Sequence, residues 1–343
     1  MNSIKSWYHS GESAIWLCAA AVSVSLIIVG GLLGIIGSNG LAHFWPKPVT
    51  EFSYRVDQQH VINLIGEVRD EEIVASDRIA QSGSWMADQQ SATGQRLLLK
   101  IGNREIHGLD FRWIIAGNIE QQTEPENLLV IERLEWGNFY GYLDSVVQGD
   151  QPPISGEAAH DALEESIHRA LELREQIEQI ERNDIGRVNY ALEQLRLDQR
   201  GLELTDNLTE GAQVAFAEKS GELELEYRAL QGELAKQYSE IGRDQVLVTD
   251  ASGAQKQIAV GQIVRAFYPN SFNLVDKCQF YLEKLWEFVF TAPREANTEG
   301  GIFPAIFGTV IMVLIMSVLA VILTLWRVWS LCIIFGIVQQ KIC

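Results

Sequence analysis

The sequence predicts a membrane protein of the α+β class, in which two transmembrane helices flank a β-rich periplasmic domain with an inserted antiparallel coiled-coil hairpin. Two long apolar runs, residues 14–36 and 302–326, contain no charged residue. Residues 37–301 between them contain 24 basic and 44 acidic residues, a balance of −20. Within this acidic middle, strand-like segments surround one stretch with helical periodicity.

The first apolar run, AIWLCAAAVSVSLIIVGGLLGII at 14–36, follows a short polar segment, residues 1–13. A helical span needs about 20 apolar residues, whereas a secretory signal has an apolar region of about 7–15 residues and a small-residue cleavage site. Large aromatics, Phe44 and Trp45, follow this run and suit a membrane interface. We therefore expect an uncleaved transmembrane helix with 1–13 in the cytoplasm; a cleaved signal is the alternative.

Residues 37–156 have the pattern of short strands. Phe52, Tyr54 and Val56 alternate with polar residues, as in a half-buried strand. Further strands are expected at residues 61–65, 96–101, 111–116, 128–132 and 139–147.

Turn residues separate these strands. Gly102 and Asn103, between RLLLKI and REI, predict a two-residue hairpin turn. Asp144 and Ser145, with residues 148–153, are expected to close the region as turns.

Residues 157–242 change to helical spacing. Apolar residues recur three or four apart among dense Glu, Arg and Gln, with a break near 204–211. Two long helices with a narrow apolar stripe predict an antiparallel coiled-coil hairpin. Its charges are typical of a solvated face, and an arm that docks a partner is the alternative.

Strands return at residues 243–270. QVLVTD and KQIAVGQIVRAFY flank the turn residues 250–253, which predicts a hairpin. Strands before and after the coiled coil can share one sheet. The coiled coil is therefore expected to be an insertion, and 157–242 to be removable.

Residues 271–292 predict an amphipathic helix before a loop at 293–301. Its apolar face consists of Leu274, Cys278, Tyr281, Leu282, Leu285, Trp286 and Val289. Such a helix either lies along the bilayer surface or packs on the β domain, and the sequence does not decide between them.

The second run, IFPAIFGTVIMVLIMSVLAVILTLW at 302–326, has Pro304 in its first turn, where a missing N–H costs little. After it, Arg327 interrupts the apolar pattern, and the tail 327–343 is too short for a confident third span.

The charges indicate orientation and exclude one class of partner. Lys5, Arg327 and Lys341 flank the apolar runs, and positive residues favour the cytoplasm. We therefore expect a multi-pass protein of the cell inner (cytoplasmic) membrane with a large periplasmic domain. The net charge of −18 argues against a nucleic-acid partner.

No motif for catalysis is present. The sequence has no phosphate-binding loop, no HExxH and no GxSxG. The four cysteines form no CxxC pair, and four histidines in the acidic middle (His60, His107, His160 and His168) show no ligand spacing. Acidic groups at Glu164–Glu165 and 70–72 lie in highly charged surroundings. We assign no catalytic, cofactor-binding or metal-binding residue and expect no enzyme and no cofactor.

Several segments of the chain have a distinctive sequence. The most specific is PREANTEGGIFPAIFGT at 293–309, which enters the second apolar run. The others are GLAHFWP at 40–46, IERLEWGNFYGY at 131–142, DIG at 184–186, VRAFYPN at 264–270 and LWEF at 285–288. Together these segments resemble phosphate ABC transporter permeases of the PstA type, in the subgroup with a large periplasmic insertion.

The resemblance implies a membrane subunit of an ATP-driven importer of inorganic phosphate, without an ATPase site of its own. Its implied partners are a second phosphate permease subunit, an ATPase subunit dimer, a periplasmic phosphate-binding protein and the lipid bilayer. Beyond Thr324 the sequence no longer resembles the family, in which further helices and a coupling loop are expected. We therefore expect an amino-terminal portion unable to transport alone, truncated after its second helix, with a frameshifted tail at 327–343. The alternative is a stand-alone two-span protein whose periplasmic domain binds a partner in a structural or sensor role.

Overall fold

The computed structural model describes residues 12–81, 85, 92–205, 208–291 and 301–340. The chain forms two compact units. The β unit comprises residues 47–271, and the helical unit comprises residues 12–46, 272–291 and 301–340.

The β unit contains eleven strands among its described residues. The strands are β1 Thr50–Arg55, β2 Val61–Ala75, β3 Thr93–Lys100, β4 Phe111–Ile115, β5 Ile119–Thr123, β6 Leu129–Arg133, β7 Phe139–Val147, β8 Ile154–Ser155, β9 Gln245–Thr249, β10 Gln255–Ala259 and β11 Ile263–Phe267. The α-helices of the described residues are α1 Glu12–His43, α2 Ser76–Gln81, α3 Arg104–His107, α4 Glu157–Gln179, α5 Gly186–Leu204, α6 Glu210–Ile241, α7 Leu274–Phe290 and α8 Phe303–Gln340.

The strands form two sheets of the same topology. The first has the order β4-β3-β2-β1-β5, and the second has the order β10-β9-β7-β6-β11, with the short β8 paired to β7. In each sheet a single 3₁₀ turn joins the two edge strands: Ala116–Asn118 follows β4, and Val260–Gln262 follows β10. We call residues 50–123 the first repeat and residues 129–267 the second repeat.

The pairing registers of the two repeats are superimposable. Thr50 pairs with Gly66 as Leu129 pairs with Gly141. Both repeats also share two bulges. Where the first strand pairs with the last strand, one residue of the last strand is left unpaired as a bulge. This residue is Glu120 in the first repeat and Val264 in the second. The second strand bulges against the third at Arg69 in the first repeat and at Asp144 in the second. We conclude that the β unit contains one supersecondary unit twice.

Each repeat must be a curled sheet. Neighbouring strands lie about 4.8 Å apart, so a flat five-stranded sheet would separate its edge strands by about 19 Å. The link from Ile115 to Ile119 has four residue steps, which reach at most about 14 Å when fully extended. The two edges are therefore brought towards each other around an apolar core, which in the first repeat includes Phe52, Leu99 and Ile114.

The helical hairpin is an insertion in the second repeat, as the sequence predicted. β9, β10 and β11 follow the hairpin and pair with β7 and β6, which precede it. The predicted turn at 250–253 also joins β9 to β10. In the first repeat, the equivalent connection between β2 and β3 contains the short helix α2.

The first turns of the region 157–242, which was expected to be removable, contribute to the core of the second repeat. Five side chains of α4 pack into the main apolar core of the second repeat, together with Ile131, Val246 and Ile263. These α4 residues are Ala159, Ala162, Leu163, Ile167 and Ala170, each at most 9% exposed. Small residues on this stripe let the helix axis approach the sheet, so α4 is part of the fold that it was expected to interrupt.

The distal part of the hairpin is antiparallel and mostly exposed. A π-helical segment, Ile180–Ile185, joins α4 to α5 without a break. Glu181 accepts a hydrogen bond from Tyr238 at 2.8 Å, and Arg187 contacts Glu226 at 2.7 Å. The residue number increases along one arm as it decreases along the other, so the arms are antiparallel. The helical hairpin is thus observed, and its description as a coiled coil stays a prediction.

Two predicted turns are wrong. Gly102 and Asn103 both have positive φ, but they lead into the short helix α3 rather than directly into a strand. The next strand along the chain, β4, pairs with β3 and begins only at Phe111. Asp144 and Ser145 lie inside β7, where the backbone bulges instead of turning. Polar residues at a bulge resemble turn residues because both interrupt the ladder.

The two repeats pack on each other through a small apolar cluster and an inserted side chain. The cluster consists of Val49, Ile65, Leu128, Val130 and Tyr140, none more than 3% exposed. Beside it, the Asn103 amide exchanges two hydrogen bonds with the backbone of Tyr140, donating at 2.9 Å and accepting at 2.8 Å. The connection that was predicted as a hairpin turn therefore fastens one repeat to the other.

Candidate functional site

Two helices of the helical unit are long and apolar enough to cross a membrane. Their candidate spans are Ile15–His43, with 29 residues, and Phe303–Arg327, with 25 residues. At 1.5 Å per residue these spans are about 43 and 37 Å long, against a hydrocarbon core of about 30 Å. The first helix extends beyond the predicted 14–36 at its carboxyl end, and α8 continues through Arg327 to Gln340 as one helix.

Both spans expose apolar side chains all round. Ile27 is 73% exposed and Met312 is 67% exposed, and no residue of either candidate span is buried. A helix that is apolar on every side needs apolar surroundings, since burial of apolar surface contributes about 25 cal/mol per Å².

Several hydroxyl side chains of these helices donate to a carbonyl of the same helix. Ser23 donates to the Ala19 carbonyl at 2.9 Å, and Ser317 donates to the Val313 carbonyl at 2.7 Å. These bonds remove the cost of placing a hydroxyl among lipid tails. The two helices thus have the composition and the internal hydrogen bonding of bilayer-spanning segments.

Helix α7 begins at a capping box. The Asn273 side chain accepts from the N–H groups of Val275 and Asp276 at 2.7 and 3.0 Å, and the Asp276 carboxylate accepts from Asn273 N–H at 3.0 Å. This arrangement fixes the start of the predicted amphipathic helix.

The faces of α7 differ. On one side, the tilted rings of Phe288 and Phe44 pack with centroids 4.9 Å apart, and the Tyr281 ring lies 6.0 Å from that of Trp45. Elsewhere on the helix, Leu274, Leu282 and Trp286 are 63–75% exposed. Of the predicted apolar face, Tyr281, Leu285 and Val289 are half-buried and the others are exposed. An apolar stripe therefore remains uncovered on a helix that packs beside a candidate span.

His60, His107, His160 and His168, the histidines considered as ligands, have separate partners. His60 contacts Asp57 at 2.8 Å, His107 contacts the buried Asp250 at 3.2 Å, and His168 contacts Glu172 at 3.4 Å. His160 hydrogen-bonds to Tyr268. In the described parts of the chain, no group of three or more His, Cys, Asp or Glu side chains is arranged to hold a metal ion.

The acidic groups singled out in the sequence are exposed. Glu164 and Glu165 lie on the outer side of α4. Glu72 on β2 pairs with Arg96 at 2.7 Å, and Glu71 accepts from Gln95 at 3.0 Å. Of these residues, Glu71 takes part in the groove described below, which the sequence alone did not reveal.

One polar pocket of about 400 Å³ lies where α4 meets the start of β9. Asp244, 1% exposed, pairs there with Arg169 of α4 and with Arg243 at 3.0 Å, and accepts from Gly149 N–H at 3.0 Å. The carboxylate is therefore paired on several sides, and its contact with Arg169 holds α4 on the sheet.

A second polar pocket of about 390 Å³ surrounds a buried arginine. Glu105 lies 2.8 Å from Lys256 and 3.5 Å from Arg133. Burial lowers the pKa of Arg133, and the adjacent Glu105 carboxylate opposes that effect. Two cations and one carboxylate of α3, β6 and β10 form a structural ion network here.

Comparison with known proteins gives no relative. No family model, no curated protein and no solved structure matches the chain.

Proposed function

We propose that the chain is a membrane subunit of an ATP-driven importer of inorganic phosphate in the cytoplasmic membrane. The observation that carries the membrane part is the pair of fully exposed apolar helices on either side of the β unit in the sequence. The assignment to phosphate import is supported by the resemblance of residues 293–309 to PstA-type permeases, since this segment of sequence runs into α8.

In this proposal α1 and α8 cross the bilayer and the β unit lies in the periplasm. The partners are a second permease subunit, an ATPase dimer and a periplasmic phosphate-binding protein. The chain itself supplies membrane anchorage and the periplasmic domain, while ATP hydrolysis belongs to the ATPase partner.

Phosphate uptake tests the proposal. Deletion of the gene is expected to lower uptake of radiolabelled phosphate by phosphate-starved cells, and the chain expressed with its partner subunits is expected to co-purify with the second permease subunit. The variant Leu314→Arg places a charge within the second span, which costs about 2.5–3.5 kcal/mol on insertion scales, and should lose this co-purification. The matched variant Leu197→Arg changes an exposed leucine of α5 and should co-purify as the wild type does.

A second function is favoured by the exposed apolar residues of the hairpin. Leu197, Leu204, Val214 and Leu225 are 53–79% exposed. They support the alternative of a stand-alone two-span protein whose periplasmic arm binds a partner. Phosphate uptake unaffected by the deletion, together with loss of a co-purifying protein in a Leu204→Glu variant, would favour this alternative over the permease.

A further inference from the structure

The two repeats differ on one face. In the second repeat this face is formed by β7, β11 and the 3₁₀ turn Val260–Gln262, and α4 covers it. Val146, Val260 and Ile263 are at most 1% exposed beneath the small apolar side chains of α4.

The equivalent face of the first repeat is an open groove of about 490 Å³. Its apolar floor consists of Phe52, Val68, Leu97, Ala116 and Ile119. By the shared register, Ala116 corresponds to Val260 and Ile119 to Ile263. Both are half-buried where their counterparts are buried, so no helix among the described residues covers this groove as α4 covers the second repeat.

The polar corner of the groove also has a counterpart. In the second repeat, Asp244 of the pocket beside β9 receives Arg169 of α4. In the first repeat, Gln95 stands at the position of Asp244, and Glu71 stands at the position of Val146. Gln95 donates to Glu71 at 3.0 Å, so an exposed carboxylate lies at the corner where α4 places a guanidinium in the second repeat.

A second cation of α4 binds the backbone of the covered face. Arg174 donates to the carbonyls of Gly261 and Ile263 at 2.7 and 3.2 Å. The equivalent residues of the first repeat are Gly117 and Ile119. Both arginine-binding corners therefore have equivalents beside the open groove.

We propose that the groove of the first repeat is a docking site for an amphipathic helix of a partner protein. The helix presents small apolar side chains at the spacing of Ala159, Leu163, Ile167 and Ala170, and basic side chains beside this stripe. The apolar stripe covers the groove floor, and a basic residue pairs with Glu71. This inference is independent of phosphate transport, since it rests on the difference between the two repeats.

Peptide binding to the full chain in detergent tests the proposal. The probe is a fluorescein-labelled peptide with the sequence of residues 157–179, whose own site in the second repeat is filled by α4. Saturable binding measured by fluorescence anisotropy is expected. Ala116→Trp should abolish it by filling the groove, and Glu71→Lys should weaken it about tenfold, the effect of losing about 1.4 kcal/mol. Glu126→Lys, which reverses an exposed acidic residue outside the groove, should leave the affinity unchanged.

A peptide with Arg169→Glu should also bind more weakly to the wild-type chain, and Glu71→Lys should restore part of that loss. Circular dichroism of each variant checks that it is folded, and Glu71→Lys changes an exposed side chain, so the test does not depend on Ala116→Trp alone. Absence of saturable binding, or binding unchanged by both groove variants, overturns the proposal. If the wild type self-associates and the groove variants do not, the occupant is a second copy of the chain. If the wild type binds lipid vesicles and the groove variants do not, the groove binds a membrane. Either result also overturns the proposal.

Discussion

Asn103 and Tyr140 join the two repeats of the β unit by a pair of hydrogen bonds. The Asn103 side chain donates to the Tyr140 carbonyl at 2.9 Å and accepts from the Tyr140 N–H at 2.8 Å, as a neighbouring strand would. Asn103 is 3% exposed and has a φ of 52°, a left-handed conformation that asparagine tolerates better than most residues. One side chain thus satisfies two backbone groups of the other repeat.

Asn103→Ala is expected to lower the free energy of unfolding by about 2–4 kcal/mol, because an unsatisfied buried polar group costs about 1–3 kcal/mol. Asn103→Gly relieves the left-handed backbone and should still lose most of that stability, which separates the hydrogen bonds from strain. Asn63→Ala, at an exposed position of β2, serves as the control and should change stability by less than about 0.5 kcal/mol. Urea unfolding of the full chain in detergent provides the measurement; equal stability of Asn103→Ala and the control would show that this contact contributes nothing.

Gly66 and Gly141 are equivalent, and alanine at either should be destabilising. A Cβ on Gly66 would lie 2.6 Å from the Lys100 carbonyl oxygen, and one on Gly141 would lie 2.2 Å from that of Thr249. Overpacking of this kind costs about 1–3 kcal/mol. Gly117→Ala, where nothing lies within 4 Å of the added methyl group, should be nearly neutral. Thermal unfolding of the three variants checks this, and a neutral Gly66→Ala would contradict the close approach of β3.

Leu163 anchors α4 in the core of the second repeat. It is 3% exposed, so Leu163→Ala should destabilise the chain by about 2–5 kcal/mol through lost burial and a cavity. The neighbouring exposed residue provides the control, since Glu164→Ala removes a side chain of similar length without opening the core. The comparison is made by urea unfolding. Similar stabilities would mean that α4 is separable from the β unit after all.

Periodicity predicted the individual elements of this fold well. The alternation around Phe52 predicted β1, and the turn residues 250–253 predicted the β9–β10 hairpin. These signals are local, because a strand with one buried face or a tight turn leaves its pattern in a few neighbouring residues.

The repeat was not predicted because its two copies share few residue identities and one is interrupted by the helical hairpin. A signal was nevertheless present: residues 114–119, IIAGNI, and 258–263, IAVGQI, both have Ile, Gly and Ile at the same spacing. They are the two edge connections with their 3₁₀ turns. A search for internal similarity would have used this motif.

The groove was not predictable from local pattern. Glu71 reads as one of three consecutive acidic residues on a charged strand. Its importance depends on its distance from Gln95 on β3 and on comparison with Val146 in the other repeat, which requires the register of both sheets.

Tyr142 and Tyr268 should titrate later than exposed tyrosines. Burial, with a hydrogen bond to Glu51, raises the pKa of Tyr142 to about 12, and burial raises the pKa of Tyr268 to about 12. A tyrosine whose pKa is raised in the folded state contributes stability that is present below about pH 10, the unfolded value, and is lost as the pH rises towards 12. Stability should therefore fall across this window.

Ultraviolet absorbance of tyrosinate measures the effect. Tyr142→Phe should remove absorbance from the late step near pH 12. Tyr190→Phe, at a residue that is 68% exposed, should leave that late step intact. A late step of unchanged size in Tyr142→Phe would show that Tyr142 is not protected in the folded chain.

Membrane topology is tested by cysteine labelling in intact spheroplasts. With native cysteines replaced, Leu204→Cys lies at the distal end of α5, and Met312→Cys lies within the second candidate span. A membrane-impermeant maleimide should label position 204 at once, because the proposed orientation places the hairpin in the periplasm. Position 312 should stay unlabelled even after the cells are opened, since a thiol among lipid tails is neither hydrated nor readily ionised. Lys5→Cys is the control for the opposite side and should react only in opened cells. Labelling of position 5 but not 204 in intact spheroplasts would reverse the orientation, and rapid labelling of position 312 would exclude α8 as a span.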